Sequence, residues 1–335
     1  MRKGPEKDLS SLSYLLHTKE DESLNRKQIT SRLLQMLIVL IGISILTFLL
    51  TYISPGDPVR NMYLAQGLMP DEAEVARLRE EMGLNDPFLT QYFRWLGNCL
   101  KGDFGNSFAL NKPVITLLKA RLWPTLKLAF VSMLLMIIIS VPLGVLSAVH
   151  KDKPIDYIVR ALTFFGVSVP NFWVGLMLIL LFAVKLKILP VVSSGGTLKD
   201  LLLPAITLAI AMSAKYTRQV RTAVIEELSS DYVIGARARG VKESKILWGN
   251  VFPNSLLPLI TMLGISVGSL LGGTSVVEVI FSYPGLGNLA VSAITSYDYY
   301  LVQGYVLWVS VIYMAINLLV DISYNYIDPR MRLKR

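Results

Sequence analysis

The feature that most constrains this chain is a series of apolar blocks close to the length that crosses a bilayer, for which about 20 residues suffice. They run over roughly 33–53, 125–149, 158–184, 201–215, 256–280 and 302–322. Of 335 residues, 53% are hydrophobic and 17% charged, whereas soluble domains carry roughly a quarter charged residues. The expected fold is therefore all-α: a polytopic membrane protein with six transmembrane helices and a long external loop after the first.

The net charge of +9 does not point to nucleic acid. The basic residues are scattered between apolar blocks rather than gathered with aromatics on one surface, which is the pattern of a positive-inside membrane protein. Lipid is the expected surrounding and no nucleic-acid partner is. Cys99 is the only cysteine, so no internal disulfide framework or thiolate metal site is available; it reads as a small side chain in a loop. His17 and His150 form no constellation with it, no resident metal site is expected, and no nucleophile–base pair or G-x-S-x-G turn suggests catalysis.

Charge sets the expected orientation. Residues 1–32 form a polar tail with seven Lys/Arg, the 150–153 turn has two, the 216–254 segment has six and the carboxyl tail (323–335) has four. The 281–301 loop has none, so both termini are placed in the cytoplasm. Lys185, Lys187 and Lys199 on the outer side run mildly against this, and the first two can snorkel from a helix end. The tail lacks the apolar core and small-residue site of a signal peptide. Its Leu9, Leu12, Leu15 and Leu16 suit either one short amphipathic helix or a frayed tail. The 54–122 region is assigned to the external loop, with helical signals such as Asp71 before 72–82.

Two features within the spans have a structural and a functional reading each. Ser168-Val169-Pro170-Asn171 interrupts the third span, so a kink is expected; Ser168, Pro170, Asn171 and Trp173 are candidates for lining a pathway, or for helix–helix hydrogen bonding. Gly264, Gly268 and Gly272 form a small-xxx-small face, suited to packing within the chain or against a second subunit. Glu278, near the outer end of the fifth span, reads as structural. Asp321, at the inner end of the sixth, is expected to pair with an arginine.

The most informative stretch is 231–253, from Asp231-Tyr232-Val233-Ile234-Gly235-Ala236-Arg237-Ala238-Arg239-Gly240 to Asn250-Val251-Phe252-Pro253. It reads as a short helix capped by Ser229 or Ser230 and closed at Gly240, followed by a second helix ending at Pro253. The small residues Gly235, Ala236 and Ala238 would let a partner's groove approach closely, and Arg237 and Arg239 would meet acidic groups there. An ordinary hairpin lying on anionic lipid fits the same residues.

This segment resembles the EAA loop of ABC importer permeases, a Glu-Ala-Ala, x3, Gly, x9, Ile-x-Leu-Pro pattern. Ala236 falls on the second alanine, Gly240 on the glycine and Phe252-Pro253 on the closing Leu-Pro. Ile234, Gly235 and Asn250 depart from the pattern. Ala-Arg-Ala-Arg-Gly is similar to the variant in the dipeptide/oligopeptide/nickel importers, specifically the B-type permease of the pair. Gly56-Asp57-Pro58, Met82–Pro87, Gly102–Gly105, Val167–Trp173, Pro284–Gly287 and the ending Asp328-Pro329-Arg330 fit the same family over residues 30–333.

The resemblance implies a type I ABC importer permease fold in a bacterial or archaeal cytoplasmic membrane. It also implies a second homologous permease, two ATP-binding subunits that use ATP and Mg, and an external substrate-binding protein. The coupling residues would be Ala236, Arg237, Ala238, Arg239, Gly240, Phe252 and Pro253. This chain carries no G-x-x-x-x-G-K-[ST] phosphate loop, so it would bind no cofactor itself and is not expected to be an enzyme. Short peptides or nickel and related chelates would be the cargo, with 103–108 and 170–173 leaning to the nickel branch. A secondary transporter would need ionisable groups at mid-membrane, which are nearly absent; a receptor or scaffold would not need the 231–253 segment.

Overall fold

The computed structural model describes residues 7–327 apart from Pro55 and Gln66, and side chains from Thr30 to Val320 except at 65, 257, 258, 261, 265, 269, 271 and 273. The leucines of the tail, His17, Asp321 and the 328–330 ending lie outside those descriptions. In chain order the helices are α1 (Lys7–Tyr52), α2 (Pro58–Ala65), α3 (Glu72–Glu81), α4 (Phe88–Leu100), α5 (Val114–Val149), α6 (Pro154–Ser168), α7 (Asn171–Leu178), α8 (Leu198–Leu228), α9 (Asp231–Ala238), α10 (Glu243–Ile246), α11 (Phe252–Gly273), α12 (Ser275–Ile280), α13 (Leu286–Thr295) and α14 (Tyr299–Ile327). A two-residue antiparallel pair, β1 (Asn106–Ser107) and β2 (Lys112–Pro113), precedes α5.

Several elements differ from the sequence expectation. The tail is not separate from the first span, since α1 runs 46 residues without a break. The 54–122 region is no plain loop: it holds α2 to α4, the hairpin and the first turns of α5, which starts eleven residues before the predicted span. Cys99 is in α4 rather than a loop, buried beside Phe48, Tyr92 and Trp95. The third span is bent by 99° between α6 and α7, far more than a kink. Pro170 donates no backbone hydrogen and forces Val169 into an extended conformation (φ −86°, ψ 128°), so the break becomes a right-angled elbow.

Among the described residues, three helical stretches are long and apolar enough to cross a membrane: Thr30–Tyr52, Val114–Val149 and Tyr299–Val320. The bent pair α6–α7 makes a fourth if it is one span. The predicted count of six is not confirmed among the described residues, where α8 carries Lys215, Arg218 and Arg221 along its length. The fourth predicted span, 201–215, is only the first half of that 31-residue helix.

The framework is the pairing of α5 with α8. Along α5 the buried positions Ser132, Met136, Ser140, Gly144 and Ala148 recur every four residues, and most are small, so the two backbones approach closely. A Cβ on Gly144 would stand 2.5 Å from Val220 Cβ and 2.9 Å from the Thr217 carbonyl. Around this pair, one apolar cluster joins α5, α8, α12 and Phe281 with Tyr283. A second joins the far ends of α5 and α8 to α9, α10 and the start of α11. A third packs the start of α5 against α13 and α14. The 150–153 turn and the 216–254 segment therefore share one end of the molecule, and the α2–α4 module lies at the other.

The glycine face divides. Cβ atoms on Gly264 and Gly268 would run into Val320 and Tyr313 of α14, the latter at 2.6 Å, whereas Gly272 faces open space. Packing within the chain thus accounts for the first two. Glu278 is fully buried and accepts from Thr125 Oγ1 (2.9 Å), Thr274 Oγ1 (3.1 Å) and the Asn288 amide (2.9 Å), which is the structural role expected of it.

Overpacking the α5–α8 contact with Gly144→Leu should cost about 1–3 kcal/mol and lower the midpoint of thermal unfolding in detergent. Gly42→Leu, at a site with nothing within 4 Å of the new Cβ, should leave the midpoint unchanged.

Candidate functional site

The 231–253 segment begins where α8 ends. Ser230 occupies the N-cap position of α9 (φ −76°, ψ 153°) but makes no side-chain cap. Its Oγ donates to the Glu227 carbonyl at 2.6 Å, and Ser229 Oγ donates to that of Ile225. Both expected caps therefore face back into α8, because a serine just past a helix end finds those free carbonyls within reach.

The other end of α9 is as expected. Gly240 sits at φ +73°, the left-handed region that only glycine enters without strain. Its amide donates to the Arg237 carbonyl (2.9 Å), and the Val241 amide donates to that of Ala236 (3.2 Å). Together these make a Schellman motif. Across the turn Arg237 grips Glu243 with two bonds, Nε to Oε1 at 2.6 Å and Nη2 to Oε2 at 3.2 Å. The guanidinium holds the Glu243 carboxyl below its ordinary range, so the clasp is intact above that range and weakens as pH falls below it. Arg237 is thus committed within the segment, while Arg239 is exposed.

The segment does not end at Pro253. The chain stays helical from Glu243 through a π turn at Leu247–Val251 into α11, where Pro253 falls in the first turn. Proline lacks an N–H and crowds the carbonyl four residues back; the wider π turn just before it relieves both. Phe252 packs inward, with its ring 5.2 Å from Trp248.

Of the small residues, only part face outward. Ala236 packs against the apolar cluster of Val145, Val220, Val224, Val233, Ile246 and Val251. A Cβ on Gly235 or Gly249 would meet nothing within 4 Å, and Ala238 is exposed. Ile234 (57% exposed) and Trp248 (56%) stand out on the same segment. Reasoning from the sequence passed over this apolar edge, although an indole amid polar residues was a visible signal.

Beside the segment lies an ion pair that sequence reasoning did not single out. Asp156 of α6 is fully buried and receives Arg221 of α8 bidentately, Nε to Oδ1 and Nη2 to Oδ2, both 2.7 Å. Ser147 Oγ (2.5 Å) and the Asp152 amide (3.0 Å) complete its shell. Four donors from α5, the 150–153 turn and α8 thereby fix α6 to the helix that leads into α9. Tyr232 adds a clasp from α9 to Glu227 at 2.7 Å. The segment is a helical extension of α8, held to it by these contacts, with an apolar outer edge at Ile234 and Trp248.

The other candidates are not gathered into an enclosed site. Ser168, Pro170, Asn171 and Trp173 sit at the α6–α7 elbow and are exposed in this chain. Ser168 Oγ donates to the Phe164 carbonyl at 2.9 Å.

Membrane-length helices with a helical projection joined to the α5–α8 core fit a transport permease. The match to known families agrees. Residues 140–333 match the family "Binding-protein-dependent transport system inner membrane component", and residues 26–129 match "Binding-prot-dependent transport system membrane comp, N-term". The chain is 39% identical to the oligopeptide transport system permease protein AppB of Bacillus subtilis, covering 90% of this chain and 98% of that one. It is 36% identical to the probable D,D-dipeptide transport system permease protein DdpB of Escherichia coli, covering 88% and 94%. A glutathione transport system permease protein, GsiC of Escherichia coli, is 35% identical over 91% of this chain and 99% of its own length. Among solved structures, an inward-facing MetNI methionine ABC transporter aligns with a TM-score of 0.56 at 18% identity, covering 64% of this chain and 97% of that one; this likeness shows the fold.

The chain belongs to the family of binding-protein-dependent transport system inner membrane components. It is a multi-pass permease of the type I ABC importer fold, a transport component rather than an ATPase, and its family works with ATPase and binding-protein partners.

Replacing Asp156 with Ala leaves the Arg221 cation poorly paired, at a cost of about 3–5 kcal/mol. Hydrogen exchange at the end of α8 and in α9 should accelerate, with exchange in α13 unchanged.

Proposed function

We propose that this chain forms one half of the translocation pathway of an ATP-driven importer for short peptides delivered by an external binding protein. A second homologous permease supplies the other half. Two ATP-binding subunits, which bind the ATP and Mg, each receive the 231–253 segment of one permease. Both termini and that segment lie on the cytoplasmic side, in keeping with the charge bias. The named relatives serve dipeptide, oligopeptide and glutathione transport, which favours peptides over the nickel chelates toward which two sequence phrases leaned.

The observation that carries this reading is the build of the segment: clamped to α8 on its inner side, apolar and sterically open on its outer side. Closure of the ATPase pair on nucleotide would move the two segments together. The spans would then rock between inward-open and outward-open states, a two-state element biased by ATP. The α6–α7 elbow, with Ser168, Pro170, Asn171 and Trp173 exposed on it, is assigned to the pathway face between the two permeases.

Ala236 is packed inward, so enlarging it would test the folding of the segment rather than its docking. Gly235 is the sharper site. In reconstituted vesicles, Gly235→Trp should keep the protein folded and inserted, reduce copurification with the ATPase subunits, and cut ATP-driven peptide uptake at least tenfold. Wild-type uptake and copurification in that variant would contradict the assignment.

A further inference from the structure

At the end opposite the 231–253 segment, a cavity of about 740 Å³ lies between the end of α1, the α2–α4 module, the 106–113 hairpin and the start of α14. Its size falls within the roughly 300–1,000 Å³ typical of small-molecule sites. The walls carry aromatic faces and charges of both signs, among them Arg79, Arg94, Asp103, Phe108 and Tyr300.

The charges are positioned rather than loose. Arg79 is held by Asp57 at 2.5 Å and Arg94 by Asp86, and a guanidinium with five donors has bonds to spare after one such pairing. Asp103 is fixed by the Gly105 amide on its Oδ1 at 2.9 Å. Arg94, Asp103 and Tyr300 line the same cavity, so it offers a cation, an anion and an aromatic face together. The Tyr300 ring in turn lies 5.1 Å from that of Phe108.

Two residues of the same wall are buried with unmet polar atoms. Gln303 (6% exposed) spends its Nε2 on Thr51, while its Oε1 has no partner among the described residues; Trp95 (7% exposed) has none for Nε1. One is an acceptor and the other a donor. Buried donors and acceptors are normally paired, so a ligand bearing both complements would meet the two once the wall shifts slightly toward it. A peptide group bears both.

We infer that this cavity is a docking subsite for a short peptide with free termini. The carboxylate faces Arg94, the ammonium faces Asp103, an apolar side chain lies on Phe108 and Tyr300, and the peptide group turns toward Gln303 and Trp95. A single amino acid matches the charges but offers no peptide group. The subsite rests on the peptide-import reading above and deepens it, since it gives this permease selectivity of its own.

The test uses the assembled importer in lipid nanodiscs without its binding protein, and radiolabelled L-alanyl-L-phenylalanine as probe. Saturable binding is expected, at least tenfold weaker for N-acetyl-alanyl-phenylalaninamide and for free L-phenylalanine. Arg94→Gln and Asn98→Trp, the second projecting bulk into the cavity from the end of α4, should each weaken the dipeptide at least tenfold. Absence of saturable binding overturns the inference, as does equal affinity for the blocked peptide, a comparison that needs no variant to fold. ATP-driven uptake of the same dipeptide with the binding protein present separates the two readings. Uptake without nanodisc binding overturns the subsite alone. Binding lost in both variants, with no uptake, supports the subsite and contradicts peptide import.

Discussion

The structure depends on the close approach of α5 and α8. Where Gly144 meets Val220 and Thr217 there is no room for a side chain, and this contact sets the separation of the two helices on which the surrounding elements pack. In lipid there is little hydrophobic drive to join helices, so small residues and interhelical hydrogen bonds must do it. The stripe Ser132–Ala148 on α5 supplies the first. The buried Asp156–Arg221 pair supplies the second and adds α6. α8 is one helix of 31 residues, about 46 Å at ~1.5 Å per residue, and on this account its two ends move together.

That rigidity gives the 231–253 segment its meaning. The Schellman turn at Gly240, the Arg237–Glu243 clasp and the burial of Val233 and Ile246 leave α9 and α10 little freedom relative to α8. A soft hairpin on the lipid surface would absorb a partner's displacement locally. A clamped one passes it into the core, where α5, α8 and α12 share one apolar cluster. On the function proposed above, an ATPase partner pushes and the 231–253 segment is the lever.

Much of this was legible in the sequence, and what was missed has physical causes. The apolar blocks at 33–53, 125–149 and 302–322 marked membrane-length helices, and Gly240 marked the end of α9, because both follow from one-dimensional rules of length and backbone conformation. The continuation of α8 past Lys215 was not legible: charges argued that the segment leaves the bilayer, which says nothing about its helicity. The Asp156–Arg221 pair joins residues 65 apart, and no local pattern announces such a pair. Pro253 reads as a helix end until the π turn before it is seen to absorb the missing hydrogen bond. The α2–α4 module buries one face, as Tyr92, Trp95 and Cys99 of α4 show, but the sequence does not say against what, so its cavity was legible only once α1 and α14 were placed beside it.

The central claim is that α8 and the 231–253 segment move as one body. It is tested most directly by a pulsed electron–electron distance between spin labels at Leu198→Cys and Ile234→Cys, both exposed positions, in a Cys99→Ser background of the assembled importer. A single narrow distance, unchanged between nucleotide-free and ATP-bound states while the distance between the two permeases' segments shortens, is the predicted result. A shift or broadening of the Leu198–Ile234 distance on ATP binding would show a joint between the helix and the segment, and would contradict the account.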